Sequence, residues 1–164
     1  MQKILYKIAI MFVLFLGIKI NFCFGENLDI KVIDGDSLEI DGQRIRLIGI
    51  DAPEYTQYCF DANNNKYDCG IKAKNYLETL VFRRDFYCKT KDIDIYERKL
   101  SVCYSDGRSI NKKMLEEGWA IAYRTKNPYY HDAQLKAKLN KQGIYQGKFI
   151  APEIYRRMNK RKKS

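Results

Sequence analysis

The sequence predicts an α+β domain, a small five-stranded β-barrel, closed or partly open, with about three helices packed outside it. Three observations carry this. Through the first part of the chain apolar residues alternate with polar ones, at the two-residue period of half-buried strands. Asp-Gly pairs close such runs, at positions where a tight turn needs positive φ. Later the period lengthens to the three-and-four spacing of helices, so the helices surround a sheet already made of tight turns. At 164 residues the chain holds one compact domain and is too short for two ordinary ones.

The first 25 residues stand apart. "MQKILYKIAIMFVLFLGIKINFCFG" carries Lys3 and Lys7, then an apolar run from Ile8 to Ile18, and ends in Cys-Phe-Gly. That is the layout of a secretory signal peptide with cleavage after Gly25. Lys19 cuts the run well short of the roughly 20 residues a spanning helix needs, so export with cleavage is favoured over an uncleaved anchor. The expected product is secreted or periplasmic.

Strands follow. In "LDIKVIDGDSLEIDGQRIRLIGI", Ile30 and Val32, Leu38 and Ile40, then Ile45 and Leu47 alternate with polar neighbours. Asp41-Gly42 between the second and third runs is a two-residue hairpin signal. Ala73, Tyr76, Leu77, Leu80 and Val81 recur at helical spacing and form one apolar stripe. "DFYCKT" and "RKLSVCYS" read as two more strands, with Asp106-Gly107 turning the chain afterwards. "INKKMLEEG" and "YYHDAQLKAKLNKQG" read as helices, each closed by a glycine. The domain thus spans residues 26–150, and residues 151–164 form a basic C-terminal tail.

Without the leader four cysteines remain, Cys59, Cys69, Cys88 and Cys103. An even count in a small exported domain reads as disulfides. Three connectivities are open. Cys59–Cys69, closing a polar loop, and Cys88–Cys103, joining two neighbouring strands, are favoured. Zinc competes weakly for these cysteines, because no C-x-x-C pair occurs and the one histidine, His131, is far along the chain. "DANNNKYD" resembles a calcium loop only in part: Lys66 stands where glycine is required and no Glu closes it. It reads as a polar surface loop.

Losing Lys3, Lys7 and Lys19 takes the 30 basic residues to 27 against 20 acidic, a net charge of +7. Six of those positive charges lie in "RRMNKRKKS". The rest of the domain is near balance, and the excess reads as a solvated, disordered end that can attract a polyanion. Nucleic acid is the partner such a tail suits, with anionic membrane as the other candidate. Nothing calls for a protein partner, and a monomer is expected.

Three segments place charge where strands end or turn. "VIDGDSL" sets Asp34 and Asp36 about a glycine, "RLIGIDAPE" brings Arg46, Asp51 and Glu54 to the end of an apolar run, and "DIYERKL" carries Asp94, Tyr96, Glu97 and Arg98. Singly each has a bland reading as a turn, a strand end or a surface ion pair. Together they place three of these carboxylates, Asp36, Asp51 and Glu54, beside Arg46 and Arg98 on one rim. A protein that merely binds a polyanion has no need of carboxylates that repel it, unless a metal intervenes. A non-catalytic nucleic-acid-binding module on the same barrel is the alternative.

The order "VIDGDS", "IRLIGIDAPE", D-x-Y-E-R and "INKKMLEEGWAIAY" resembles the thermonuclease family, the staphylococcal nuclease-like enzymes, over about residues 28–147. The resemblance implies an OB-type five-stranded barrel and calcium-dependent cleavage of phosphodiester bonds in DNA and RNA, leaving a 3′-phosphate and a 5′-hydroxyl. By motif position, Asp36, Asp51 and the carbonyl of Ala52 would ligate one calcium ion. Glu54 would orient or deprotonate the attacking water, Arg46 and Arg98 would hold the phosphate, and Tyr96 and Tyr123 would line the nucleotide pocket. Such chemistry suits these residue types, since calcium prefers hard oxygens, arginine's planar fork matches phosphate, and glutamate serves as a base without histidine. The chain departs from the family's pattern at Ile95 (a lysine in its best-known member), Glu97 (a glycine), Ala52 (a threonine) and Thr125 (a second pocket tyrosine).

Overall fold

The computed structural model describes residues 28–83 and 85–163. The expected signal peptide, 1–25, lies outside them. Ten strands are β1 Ile30–Asp34, β2 Ser37–Ile40, β3 Gln43–Leu47, β4 Ile50–Asp51, β5 Cys59–Phe60, β6 Lys66–Tyr67, β7 Tyr87–Ile93, β8 Lys99–Ser105, β9 Arg108–Ser109 and β10 Ile121–Ala122. The helices are α1 Cys69–Val81, α2 Ile110–Glu116, α3 Pro128–Leu139 and α4 Pro152–Lys163, with a 3₁₀ turn at Gly143–Gln146.

The five strands read from the sequence form the main sheet, in the order β1-β2-β3-β8-β7, with β9 added to β8. Asp41 and Gly42 turn β2 into β3 with φ of 49° and 77°, as the hairpin signal requires. Neighbours pair antiparallel except β3 and β8, which run parallel. Buried Asn111 on α2 supports that junction: its amide donates to the carbonyls of Ile48 (2.9 Å) and Ser101 (3.1 Å), and its carbonyl accepts from the N–H of Cys103 (3.0 Å).

Of the closed or partly open barrel expected from the sequence, the closed form is not what the described residues build. β1 and β7 end the sheet order as unpaired edges, while the two-residue β4 pairs with β10 in a separate ladder. Two physical causes are visible. The turn at Ile48-Gly49 carries β4 away from the sheet. β7 is exposed along Lys89–Ile93, with charged side chains and a register shift between Thr90 and Asp92, which leaves it as a solvated edge.

The core lies between the sheet and the helices. Val32, Leu38, Ile45 and Leu47 from β1 to β3 meet Ala73, Leu77 and Val81 of α1 and Met114 and Leu115 of α2. The favoured cysteine pairs are the ones present: Cys59–Cys69 joins β5 to the start of α1, and Cys88–Cys103 ties opposed positions of β7 and β8. The C-terminal segment differs from the disordered tail expected of its charge, because Pro152–Lys163 is helical. Proline in the first turn and Glu153 beside the helix N-terminus favour a helix start there. Among the described residues no helix is long and apolar enough to cross a membrane.

Candidate active site

The hairpin between β1 and β2 turns on Gly35-Asp36, with Asp34 paired to Ser37. A side chain at Gly35 would put a Cβ 2.7 Å from that of Ala52 and 2.8 Å from that of Ala73. Only glycine lets this turn press down between α1 and the chain after β4. The result drives Asp36 inward to 1% exposure. Its Oδ2 accepts from the backbone N–H of Ala52 (2.8 Å), and its Oδ1 accepts from the Ser37 hydroxyl (3.0 Å) and from Arg46 Nη1.

β3 alternates: Ile45 and Leu47 are buried, while Arg46 is half-buried between them and faces the other way. Its guanidinium spans two carboxylates, with Nη1 on Asp36 and Nη2 on Asp51 Oδ1 at 2.8 Å. Asp51, which ends β4, is fully buried. Burial pushes the Asp36 carboxyl above the usual carboxylate range, and the Arg46 guanidinium counters that rise. Two residues beyond Ala52, Glu54 is fixed through its backbone, whose N–H donates to Gln57 Oε1 at 3.3 Å. A Cβ on Gly70 would fall 1.8 Å from the carbonyl oxygen of Glu54, so the start of α1 packs directly against this loop.

Arg98 sits at the end of the turn between β7 and β8. Its Nε and Nη2 both meet Asp94 Oδ2, at 2.8 and 2.7 Å, while Asp94 Oδ1 accepts from the N–H groups of Tyr96 (2.9 Å) and Arg98 (3.0 Å). One carboxylate thus folds the turn and aims the arginine. Arg98 also lies 5.5 Å from the Tyr96 ring. Glu97 adopts φ of 60° with its side chain exposed, a left-handed conformation that favours glycine. Tyr123 is held by its N–H to the carbonyl of Gly49 (3.0 Å), with Arg124 at 5.0 Å from its ring.

Arg46, Glu54, Tyr96, Arg98 and Tyr123 line one cleft of about 710 Å³. Asp36 and Asp51 lie buried beneath it, bonded to Arg46. The sequence therefore singled out one spatial cluster. It named Asp94 without assigning it a role, because that role depends on a turn, and it missed Arg156 as a site residue. That side chain reaches in from α4, with Nη1 2.9 Å from Asp51 Oδ1 and 2.7 Å from Glu54 Oε1, and Nη2 3.1 Å from Asp51 Oδ2. Burial works against its charge, but the bonds to Asp51 and Glu54 outweigh it and raise its pKa further. Pro152 and Glu153 could have marked the helix, though nothing local marks Arg156 as a site residue. His131, the one histidine, is exposed and has Nε2 3.0 Å from the carbonyl oxygen of Thr125.

The donor set suits a hard divalent cation. Asp36 and Asp51 already share one positive group, Arg46, so both carboxylates face a common point of charge. Their oxygens, with the adjacent carbonyl of Ala52, match the preference of calcium or magnesium. Among the described residues no group of three or more His, Cys, Asp or Glu side chains gathers as a metal cluster.

Comparison with known proteins agrees with this geometry. Residues 44–147 match the family model of the staphylococcal nuclease homologues, a match that begins after Asp36 and ends before Arg156. The succinoglycan biosynthesis protein ExoI of Rhizobium meliloti is 37% identical over 118 residues, 70% of this chain and 62% of that protein. An uncharacterized endonuclease of Haemophilus influenzae is 32% identical over 139 residues, 80% and 72%. A micrococcal nuclease of Shigella flexneri is 32% identical over 108 residues, 58% and 56%. The chain thus spans less than two thirds of the length of the first and third of these. With its D-G-D turn, I-D-A-P-E rim and E-R turn gathered at one cleft, the chain belongs to the staphylococcal nuclease homologue family.

Proposed function

We propose that the protein is a nuclease that hydrolyses phosphodiester bonds in DNA or RNA with one calcium ion held by Asp36, Asp51 and the Ala52 carbonyl. Family membership and the endonuclease names among its relatives support the reaction class. The observation that carries it is the single guanidinium of Arg46 bridging Asp36 and Asp51 at the base of a cleft lined by Arg98 and Glu54. Two buried carboxylates repel a phosphate unless a cation stands between them, so this set beneath arginines supports a cation-assisted phosphate site.

The bound cation supplies charge stabilisation on the phosphoryl oxygens and orientation of the reactants. Arg46 and Arg98 hold the phosphate through charge-assisted forks that stay protonated at any working pH. Glu54 orients a water and accepts its proton. Tyr96 and Tyr123, both lining the cleft, stack on or flank the nucleoside. The products are a 3′-phosphate and a 5′-hydroxyl. Export by residues 1–25 delivers the enzyme to a secreted or periplasmic location, where its two disulfides persist.

The purified protein is expected to degrade single-stranded DNA with calcium and to stop when a chelator is added. Glu54→Gln should lower turnover by about two to four orders of magnitude, the range of general-base catalysis, and leave DNA binding nearly intact. Undiminished cutting in chelator would overturn the metal role. Equal losses of turnover and binding in the variant would leave the non-catalytic binding module as the better reading.

A further inference from the structure

We propose that Arg156 is a resident counter-charge of the site, which holds Asp51 and Glu54 in place before metal arrives and competes with the incoming cation for Asp51. The inference rests on the reading of Asp36 and Asp51 as metal ligands. It concerns a residue outside the matched family region.

Every carboxylate oxygen at the base of the cleft already has a donor. Asp36 Oδ2 accepts from Ala52, and Asp36 Oδ1 accepts from Ser37 and Arg46. Asp51 Oδ1 accepts from both Arg46 and Arg156, and its Oδ2 accepts from Arg156. A cation that takes an oxygen of Asp51 must therefore share it or dislodge an arginine. Both arginines bridge two carboxylates, but they differ in setting: Arg46 has 15% of its side chain exposed and sits mid-sheet, whereas Arg156 has 31% exposed and stands on the last helix. Arg156 is the group that yields.

It is placed there by design of the local fold. Gln57, itself fully buried, donates its amide to the carbonyl of Ile150 at 2.7 Å, while its own carbonyl oxygen accepts from Glu54. Tyr155, beside Arg156, donates its hydroxyl to the carbonyl of Thr56 at 3.0 Å. The approach to α4 and the loop carrying Glu54 are thus bonded to each other, which brings Arg156 to carboxylates 105 and 102 residues earlier. Without a positive group here, Asp51 and Glu54 would repel each other across the space that Arg156 Nη1 now bridges. Because the metal and the guanidinium share one carboxylate, each weakens the other, and the coupling is reciprocal.

The test is calorimetric titration of calcium into chelator-stripped full-length protein, with no substrate and no activity readout. Arg156→Gln should bind calcium about tenfold tighter than wild type, within the usual range of such couplings. Arg156→Lys, which keeps the charge without the two-pronged fork, should fall between them and carries the comparison if the glutamine variant does not fold. Lys160→Gln removes one charge a turn further along α4 and should change affinity by less than about twofold, as expected of a charge screened by solvent. Asp51→Asn should abolish binding. Equal calcium affinity in wild type and Arg156 variants would overturn the role of Arg156 alone, as would a gain in Lys160→Gln as large as that in Arg156→Gln. Wild-type affinity in Asp51→Asn, or no binding by any form, would instead overturn the metal site on which the inference stands.

Discussion

Arg46 and Arg98 face the same cleft and are proposed to grip the same phosphate, yet they are held by opposite means. Arg46 lies in the middle of the sheet, between strands, with its charge divided over two carboxylates, one from the β1–β2 turn and one from β4, both of which are buried. Arg98 ends a surface turn and is paired with Asp94, four residues earlier, in a contact that belongs to the turn itself. The first arginine is part of the fold, and the second is part of a local device mounted on it. Preorganised charge at an active site can be obtained in either way, but the two differ in what is lost when the arginine is removed.

The largest expected effect follows at Arg46. Arg46→Gln leaves Asp36 and Asp51 buried with one cationic partner fewer between them, and breaking a buried pair from one side costs about 3–5 kcal/mol. Urea unfolding of the chelated protein should register that loss. Calcium should restore more stability to this variant than to wild type, since the unpaired carboxylates gain most from a cation. If Arg46→Gln unfolds at the same urea concentration as wild type, the contrast with Arg98 disappears, and the bridge across Asp36 and Asp51 is not structural.

This difference also decides what the sequence could disclose. Local rules carry the hairpin at Asp41-Gly42, the stripe of α1 and both disulfides, because each depends on residues near one another or on strands adjacent in order. They carry Asp36, Arg46, Asp51, Glu54 and Arg98 too, since the D-G-D, R-L-I-G-I-D-A-P-E and Y-E-R segments mark strand ends and turns whichever way the sheet closes. Closure itself was not legible. Whether β7 reaches β1 depends on the long-range course of the sheet, and β10 is a two-residue strand inside a stretch with no strand signal of its own. The reading of α4 failed for another reason. Charge density describes how a segment meets water and salt, but it says nothing of a single guanidinium that finds partners more than a hundred residues away.

A smaller effect is expected at Arg98, and of a different kind. Arg98→Gln should lower kcat by about 10²–10³, the range seen when one transition-state donor is removed, while the urea midpoint hardly moves. Asp94→Asn should cost less, about tenfold in kcat/KM, because the arginine remains but is no longer aimed. Asp94 is a positioning residue, so the double variant should be no worse than Arg98→Gln alone. Additive losses would mean that Asp94 acts by folding the turn, and the claim that the device is local would then fail.

The smallest effect sharpens the same comparison at Glu97. Its φ of 60° is one that non-glycine residues adopt at a penalty of about 1–2 kcal/mol, and its exposed carboxylate precedes an arginine meant for phosphate. Glu97→Gly removes both the strain and the charge. Part of the stability gained returns to the unfolded chain as extra glycine freedom, so the net gain should stay below about 1 kcal/mol. Glu97→Gln separates the two effects, because it removes the charge and keeps the strain. Nucleic-acid affinity should rise by about twofold in both variants at low salt and converge with wild type at high salt, with thermal stability rising in the glycine variant alone. A salt-independent gain in affinity would point to the shape of the turn and not to the charge, and would place Arg98 under backbone control as firmly as Arg46 is under the control of the sheet.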